Sequence, residues 1–234
     1  MLKIKDLRKS YGTFELNCSM EIPAGCITGL VGSNGAGKST TFKSVLGLIS
    51  IDGGSIEVFG KEIHTWTKAE KQRMGVVLAN GGFNTYLTMK DMETVLSRMY
   101  PRFDRAMFRE YCRRYQLPAD KRIKEFSTGM LAKAKILAAI THKADLLLLD
   151  EPTTGLHMSD IENLLKLFDL IVSRGNTLVV IEHNLDVMKQ ADWLIDIGPD
   201  GGKNGGQVVF TGTPMEMLRC AKTLTADSLR ASLG

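Results

Sequence analysis

Residues 32–39 read Gly32-Ser33-Asn34-Gly35-Ala36-Gly37-Lys38-Ser39, which matches the pattern G-x-x-x-x-G-K-[ST]. An apolar run at 27–31 precedes the motif and predicts a buried strand, and residues 38–49 after it predict a helix. Glycines let the backbone curl until its N–H groups face an anion, and a following helix adds its positive N-terminal end. The motif with its flanks therefore predicts a phosphate-binding loop rather than an ordinary glycine-rich turn.

The side chains of this motif predict what is bound. We expect Lys38 to reach the β- and γ-phosphates of a nucleotide and the Ser39 hydroxyl to ligate Mg²⁺. Thr40 completes the expected nucleotide-binding set, residues 32–40. ATP and Mg²⁺ are thus the expected cofactors.

A second strand ends in two carboxylates. Four leucines at 146–149 are followed by Asp150 and Glu151. Unpaired buried charge is costly, and a bound cation removes that cost. We expect Asp150 to hold Mg²⁺, directly or through water, and Glu151 to polarise the attacking water as a general base.

A histidine follows another apolar run. Residues 177–181 predict a strand, and Glu182-His183-Asn184 come directly after it. Ligands of doubly wound sheets gather at the carboxyl ends of the strands. His183 is therefore interpreted as a γ-phosphate sensor or a water-orienting group.

Apolar runs alternate with helical patterns along the chain, which predicts an α/β fold with a mostly parallel core sheet. An antiparallel β piece is expected at the N-terminus, and an inserted helical subdomain after the first strands of the core. The predicted domains are an α/β core at 1–81 and 142–215, a helical subdomain at 82–141, and a C-terminal helical tail at 216–234. A glycine-rich turn, 198–206, is expected between two late strands.

The composition is that of an ordinary globular protein. The chain has 234 residues, a net charge of +4 and four cysteines without a C-x-x-C pair. Zinc and redox sites are therefore not expected, and scattered thiols suit a reducing cytosol. No run approaches the ~20 apolar residues of a membrane helix, so we expect another chain to supply any membrane span.

The motifs in this order resemble those of an ATP-binding-cassette (ABC) ATPase, and residues 1 to about 150 resemble the ATPase subunit of bacterial ABC exporters. Tyr11 stands where that family places an aromatic ring that stacks on adenine. Phe126-Ser127-Thr128-Gly129-Met130 resembles the family signature. The resemblance implies that Ser127 and Gly129 bind a phosphate of the ATP held by a partner subunit. The plain alternative for Ser127 is a helix N-cap.

The C-terminal third resembles a different ABC-type ATPase, the excinuclease ATPase of DNA repair. The resemblance lies in residues 150–157 and 179–214. The chain is therefore either a natural mosaic or two parents joined near residue 150.

Two positions depart from the transporter pattern. Ala79 stands near the place of the usual glutamine, which ligates Mg²⁺ and couples to the partner domain; Asn80 is a weaker candidate for that role because alternate strand residues face opposite ways. His157 stands where transporters carry aspartate, and histidine fits the excinuclease pattern.

Arginines at helical spacing form a basic stripe: Arg102, Arg105, Arg109 and Arg113. A solvated face, partly offset by nearby acidic residues, is the preferred interpretation. An acidic loop of a membrane partner, anionic lipid and, more weakly, nucleic acid are the alternatives.

The resemblance implies a cytoplasmic ATPase, peripheral on the inner face of the cell membrane, that powers export through a separate transmembrane permease subunit. It also implies a homodimer or a heterodimer of ATPase subunits, with nucleic acid not expected as a partner. The alternatives are an excinuclease-like, DNA-associated ATPase and a regulatory protein that binds ATP but scarcely hydrolyses it.

Overall fold

A computed structural model describes residues 1–79 and 81–232. The chain divides into two compact units: Met1–Thr67 with Thr177–Gly234 (unit 1), and Lys68–Asn176 (unit 2). Unit 2 contains the whole predicted helical segment, 82–141, together with strands and helices on either side of it. The predicted domain limits remain predictions. Strands and helices are numbered in chain order.

Unit 1 begins with an antiparallel sheet. Its strands, in the spatial order β2-β1-β4-β5, are β1 (Leu2–Tyr11), β2 (Phe14–Ile22), β4 (Gly53–Val58) and β5 (Lys61–Glu62). Buried and exposed residues alternate along β2, as expected when one face covers a core and the other meets water. The predicted N-terminal antiparallel piece is confirmed.

The parallel strands of unit 1 carry the phosphate loop. They are β3 (Ile27–Gly32), β8 (Thr177–Ile181) and β9 (Trp193–Gly198), with β10 (Gln207–Gly212) antiparallel to β9. β3 pairs in parallel with both β8 and β9. Every residue of β3 and β8 is buried, which explains their continuous apolar runs.

In the described residues, the α-helices of unit 1 are α1 (Lys38–Val45), α7 (Leu185–Gln190), α8 (Pro214–Cys220) and α9 (Leu224–Ala231). α1 ends at Val45, earlier than the predicted limit of 49, because Gly47 takes a left-handed φ of 65° and turns the chain. α8 begins at a capping box of Thr213 and Glu216. α8 and α9 lie in the C-terminal segment.

Unit 2 combines two parallel strands with helices. Its elements are β6 (Met74–Val77), β7 (Leu146–Asp150), α2 (Lys68–Lys71), α3 (Met89–Met99), α4 (Arg105–Arg114), α5 (Thr128–Ile140) and α6 (Met158–Ser173). β6 and β7 pair in parallel. The parallel pairs in both units, beside the antiparallel N-terminal strands, confirm the predicted α/β class. In the described parts of the chain, no helix is both long and apolar enough to cross a bilayer.

The basic stripe differs from its predicted form. Arg102 lies outside α4, because the Asp104 side chain accepts from Met107 N at 3.0 Å and starts the helix at Arg105. The Arg105 and Arg109 side chains both donate to Glu93 on α3. The Glu93–Arg109 contact is bidentate, with bonds of 2.9 and 2.8 Å, and the Glu93 carboxylate is nearly buried. The stripe therefore serves partly to join α3 to α4.

We expect Glu93→Gln to destabilise the protein by about 1–2 kcal/mol at neutral pH, because it removes charge-assisted hydrogen bonds to half-exposed arginines. Hydrogen bonds from Arg109 and Arg105 lower the pKa of Glu93 below its ordinary value of 4.5. The stabilisation is therefore present above that value and is lost as the pH falls through the lowered pKa. Urea unfolding of the wild type and of Glu93→Gln, at neutral and at acid pH, measures this stabilisation. Glu110→Gln, at an exposed position of α4, is the control. Equal stability of both variants at neutral pH would contradict this account.

Candidate functional site

The backbone of the phosphate loop depends on glycine. Gly32 has a φ of 131°, and a side chain there would overlap the carbonyl oxygen of Ile197 on β9. Gly37 has a φ of 114°, and a Cβ there would lie 2.9 Å from Leu16 and 3.0 Å from Phe14 on β2. Both a forbidden dihedral angle and a lack of space therefore exclude other residues from the two ends of the loop.

Lys38 fixes the carbonyl groups of the loop. The buried ammonium donates to Gly32 O at 2.8 Å and to Ser33 O at 2.9 Å. In a trans peptide the carbonyl and the next N–H point in opposite directions, so the N–H groups of Ser33 and Asn34 point away from the ammonium. α1 follows directly, with no side-chain cap at Gly37 and no acidic residue in its first turn. The N–H groups of the loop and of the first turn of α1 are donors of the kind that a polyphosphate accepts from, and phosphate binding by this loop stays a prediction.

The glycine-rich turn 198–206 lies against the same loop. Gly202 N donates to Gly35 O at 3.2 Å, and Gly206 N donates to Ala36 O at 2.8 Å. A Cβ at Gly205 would lie 3.0 Å from Ala36 Cα and 2.8 Å from Asp200 O. The late turn and the phosphate loop are thus two closely packed segments of unit 1. The sequence analysis predicted the turn but not this contact.

Sequence reasoning also missed Asp196, a buried carboxyl group on β9 opposite Val31 of β3. Asp196 Oδ1 accepts from Thr225 Oγ1 of α9 at 3.1 Å, while Oδ2 has no hydrogen bond within the described residues. Burial raises the pKa of Asp196, and the nearby Lys38 charge and threonine hydroxyls oppose that rise. A carboxylate inside the apolar run 194–197 was the available signal.

Two predicted ligands of unit 1 are exposed. Tyr11 ends β1, and its ring is half-exposed, with Lys9 Nζ 5.5 Å from the ring centroid. His183 follows β8 and is exposed. The buried Glu182 carboxylate accepts from His183 N at 3.1 Å and from Asn184 N at 3.2 Å, and these bonds fix the turn that carries the imidazole.

Unit 2 carries the two carboxylates at the end of β7. Asp150 is the last strand residue, and Glu151 takes a left-handed φ of 47°. Left-handed backbone is unfavourable for such a residue, and strain of this kind clusters at functional sites. Thr154 Oγ1 donates to Glu151 Oε2 at 3.3 Å. Both carboxylates line a cavity of about 250 Å³ with Ala79, Lys135 and other residues of unit 2.

The residue types predicted as metal ligands are those that Mg²⁺ takes when it binds together with a nucleotide. Among the residues described, no group of three or more His, Cys, Asp and Glu side chains could hold a metal by itself. Mg²⁺ is usually bound through one or two carboxylates and substrate phosphates rather than by an all-protein cage. The Ser39 hydroxyl and the Asp150 carboxylate are hard oxygen donors of the required kind.

Comparison with known proteins assigns the family. The model of the family described as ABC transporter matches residues 16–154, more than half of the chain. The chain belongs to the ABC transporter family. Within that family it is an ABC-type ATPase domain.

Individual relatives differ in what they share with this ABC domain. UvrABC system protein A of Aquifex aeolicus is 57% identical over 110 residues, which cover 46% of this chain and 12% of that protein. The chain therefore spans about an eighth of the length of that relative. A structure described as the ATP-binding subunit of an ABC transporter has a TM-score of 0.80 at 23% identity and covers 100% of this chain and 99% of its own. A dimeric ATP-binding cassette in a post-hydrolysis state, bound to ADP and Pi, has a TM-score of 0.76 at 21% identity, over 91% of this chain and 98% of that one.

The segment that resembles the ABC signature, 126–130, lies at the start of α5. Ser127 is exposed, and its Oγ accepts from Met130 N at 3.2 Å, so the predicted N-cap alternative is present. Gly129 is buried, and a side chain there would overlap the Asp160 carboxylate, which pairs with Lys133 at 2.8 Å. The signature glycine thus has a packing role, and phosphate binding by Ser127 and Gly129 stays a prediction.

The departures from the transporter pattern stand as follows. Ala79 is exposed and lines the cavity of Asp150 and Glu151. Asn80 lies outside the described residues. His157 is exposed at the N-cap position of α6 and makes no capping bond with its side chain. Because the side chain of Ala79 is a methyl group, it cannot supply the polar function expected near that position.

We expect Gly205→Ala to weaken Mg-ATP binding roughly five- to hundred-fold, because overpacking by about 1–3 kcal/mol displaces Ala36 in the phosphate loop. Isothermal titration calorimetry with Mg-ATP measures this change.

Gly202→Ala is the matched control in the same turn. Gly202 has a φ of 64° but open space around a Cβ. Its alanine variant should therefore lose stability without losing nucleotide affinity. Equal Mg-ATP affinity in both variants would show that the turn does not position the loop.

Proposed function

We propose that this chain is the ATP-binding and ATP-hydrolysing subunit of an ABC transporter and that it powers export through a separate transmembrane permease subunit. The observation that carries the proposal is the phosphate loop of unit 1, with its carbonyls held by Lys38 in a chain of the ABC family. It is a loop built to present N–H groups to a polyphosphate.

Each predicted residue has one role in nucleotide binding. The loop 32–40 and the Lys38 ammonium bind the phosphates, and Tyr11 stacks on the adenine. The Ser39 hydroxyl and the Asp150 carboxylate are the proposed ligands of Mg²⁺. Bound Mg²⁺ would neutralise part of the negative charge of the phosphates.

In the proposed hydrolysis, Glu151 accepts a proton from water while the water oxygen attacks the γ-phosphorus. A P–O bond to that oxygen forms, the P–O bond to ADP breaks, and inorganic phosphate leaves. His183 orients the water or senses the γ-phosphate. The strained backbone of Glu151 and its bond from Thr154 support a fixed position for the base.

The proposed assembly is a dimer, either of two copies or with a paralogue. Ser127 and Gly129 would then bind the ATP of the partner subunit. The dimeric cassette of similar fold and the exposed Ser127 support this arrangement. The similar ATP-binding subunit of a transporter supports a separate permease, with the ATPase cytoplasmic and peripheral on the inner membrane face. Affinity purification of the chain from the source cell tests this association, because a permease subunit should be purified together with it.

A second candidate function is a DNA-associated ATPase. The 57% identity to UvrABC system protein A, over almost half of this chain, favours it. Binding of duplex DNA at several salt concentrations separates the candidates. Submicromolar affinity that falls steeply with salt would support the DNA-associated ATPase, and its absence would support the transporter subunit.

We expect Glu151→Gln to abolish ATP turnover, by about 100-fold or more, while Mg-ATP still binds, because the amide cannot accept the proton of the attacking water. Steady-state phosphate release and calorimetry with Mg-ATP measure the two properties. Glu162→Gln, at an exposed position of α6, is the control. Wild-type turnover in Glu151→Gln would overturn the assignment of the base. ATP binding without any turnover in the wild-type protein would indicate a regulatory binder.

A further inference from the structure

Lys135 lines the same cavity as the carboxylates of Asp150 and Glu151. It lies in α5, whose next five residues, 136–140, are all apolar and buried. Its side chain lines the cavity of about 250 Å³ together with Asp150, Glu151 and Ala79. None of the roles derived above uses this ammonium group.

The Lys135 ammonium is available for a further ligand. Within residues 1–79 and 81–232, Lys135 Nζ makes no hydrogen bond, and no carboxylate oxygen lies within 4.0 Å of it. Burial lowers its pKa, because the charged form loses part of its water. The neighbouring Lys133, in contrast, is paired with Asp160 at 2.8 Å. Lys135 and the two carboxylates therefore line one cavity with no ion pair between them in the described residues.

The chemistry of the cavity restricts what can bridge this space. A bridging group must accept a hydrogen bond from the ammonium and donate one to the carboxylate. Water does both, whereas an ionised phosphate oxygen only accepts. At position 79 the cavity is lined by a methyl group, which does not compete for this bridging group.

We propose that Lys135 and Glu151 together hold the attacking water, so that Lys135 is a further catalytic residue of this ABC ATPase; the inference rests on the function proposed above. Lys135 donates an N–H to the water oxygen and keeps its own protons. The water gives its proton to Glu151 as the oxygen bonds to phosphorus. A cation beside the two carboxylates also offsets part of the negative charge gathered there.

The test compares Lys135→Met, which keeps length without charge, with Lys135→Arg, which keeps charge. We expect Lys135→Met to lower kcat about 100-fold, the usual cost of losing one preorganised donor, with Mg-ATP affinity within about three-fold of wild type. Lys135→Arg should retain more turnover than Lys135→Met. Lys166→Met, at an exposed lysine of α6, is the matched control and should keep wild-type turnover.

A second measurement does not depend on turnover. Reductive methylation with ¹³C-formaldehyde gives each lysine an NMR signal, and the Lys135 signal is identified by its loss in Lys135→Arg. Removal of a facing carboxylate by Glu151→Gln should lower the pKa of that lysine. Glu162→Gln should leave it unchanged.

Three results separate the possible failures. If the wild-type protein neither binds nor hydrolyses ATP, the proposed function fails. If the wild type hydrolyses ATP and Lys135→Met does so within about three-fold, Lys135 does not hold the water. If Lys135→Met does not fold, the NMR titration decides, and a Lys135 pKa that ignores Glu151→Gln overturns the proposal.

Discussion

The two hydrogen bonds from the Lys38 ammonium to Gly32 O and Ser33 O are the constraint on which the anion site depends. They turn two carbonyls inward, and a planar peptide then turns the adjoining N–H groups the opposite way. The buried ammonium avoids the cost of an unpaired charge by the same bonds. A lysine in the motif is therefore a structural part of the loop before any nucleotide arrives, and the positive potential is already in place.

The loop and its side chains could be predicted from the sequence because they follow local rules. Glycine spacing, an apolar strand and a helical pattern lie within about twenty consecutive residues, and each acts on its neighbours. The contact of Gly202 and Gly206 with the loop could not be predicted in this way, because it joins segments some 170 residues apart. Glycines in the turn 198–206 indicate a bend in the chain. Only the fold shows that the absence of side chains there also lets the turn pack against the backbone of the phosphate loop.

The same difference between local patterns and long-range contacts explains which roles of the charged residues could be predicted. The acidic end of β7 stood out because carboxylates followed four leucines. The arginine stripe was visible as spacing, but its partner Glu93 lies on another helix, so the sequence could not show that the stripe joins α3 to α4. Asp196 and Lys135 were single charges in apolar segments. Such residues are conspicuous once burial is known, because each must have a partner, a shifted pKa or a ligand.

In the cavity beside β7, the alanine at position 79 changes how the other residues that line the cavity are interpreted. Ala79 lacks the polar group expected near that position, which by itself argues for slow hydrolysis. The same wall of the cavity, however, borders on a lysine without an ionic partner in the described chain and on a base held in strained backbone. A donor, an acceptor and space for water are the elements that hydrolysis needs, and they do not require that the donor come from position 79. Hydrolysis needs a hydrogen-bond donor in this cavity, and a donor that lines the cavity from another position can replace one at position 79.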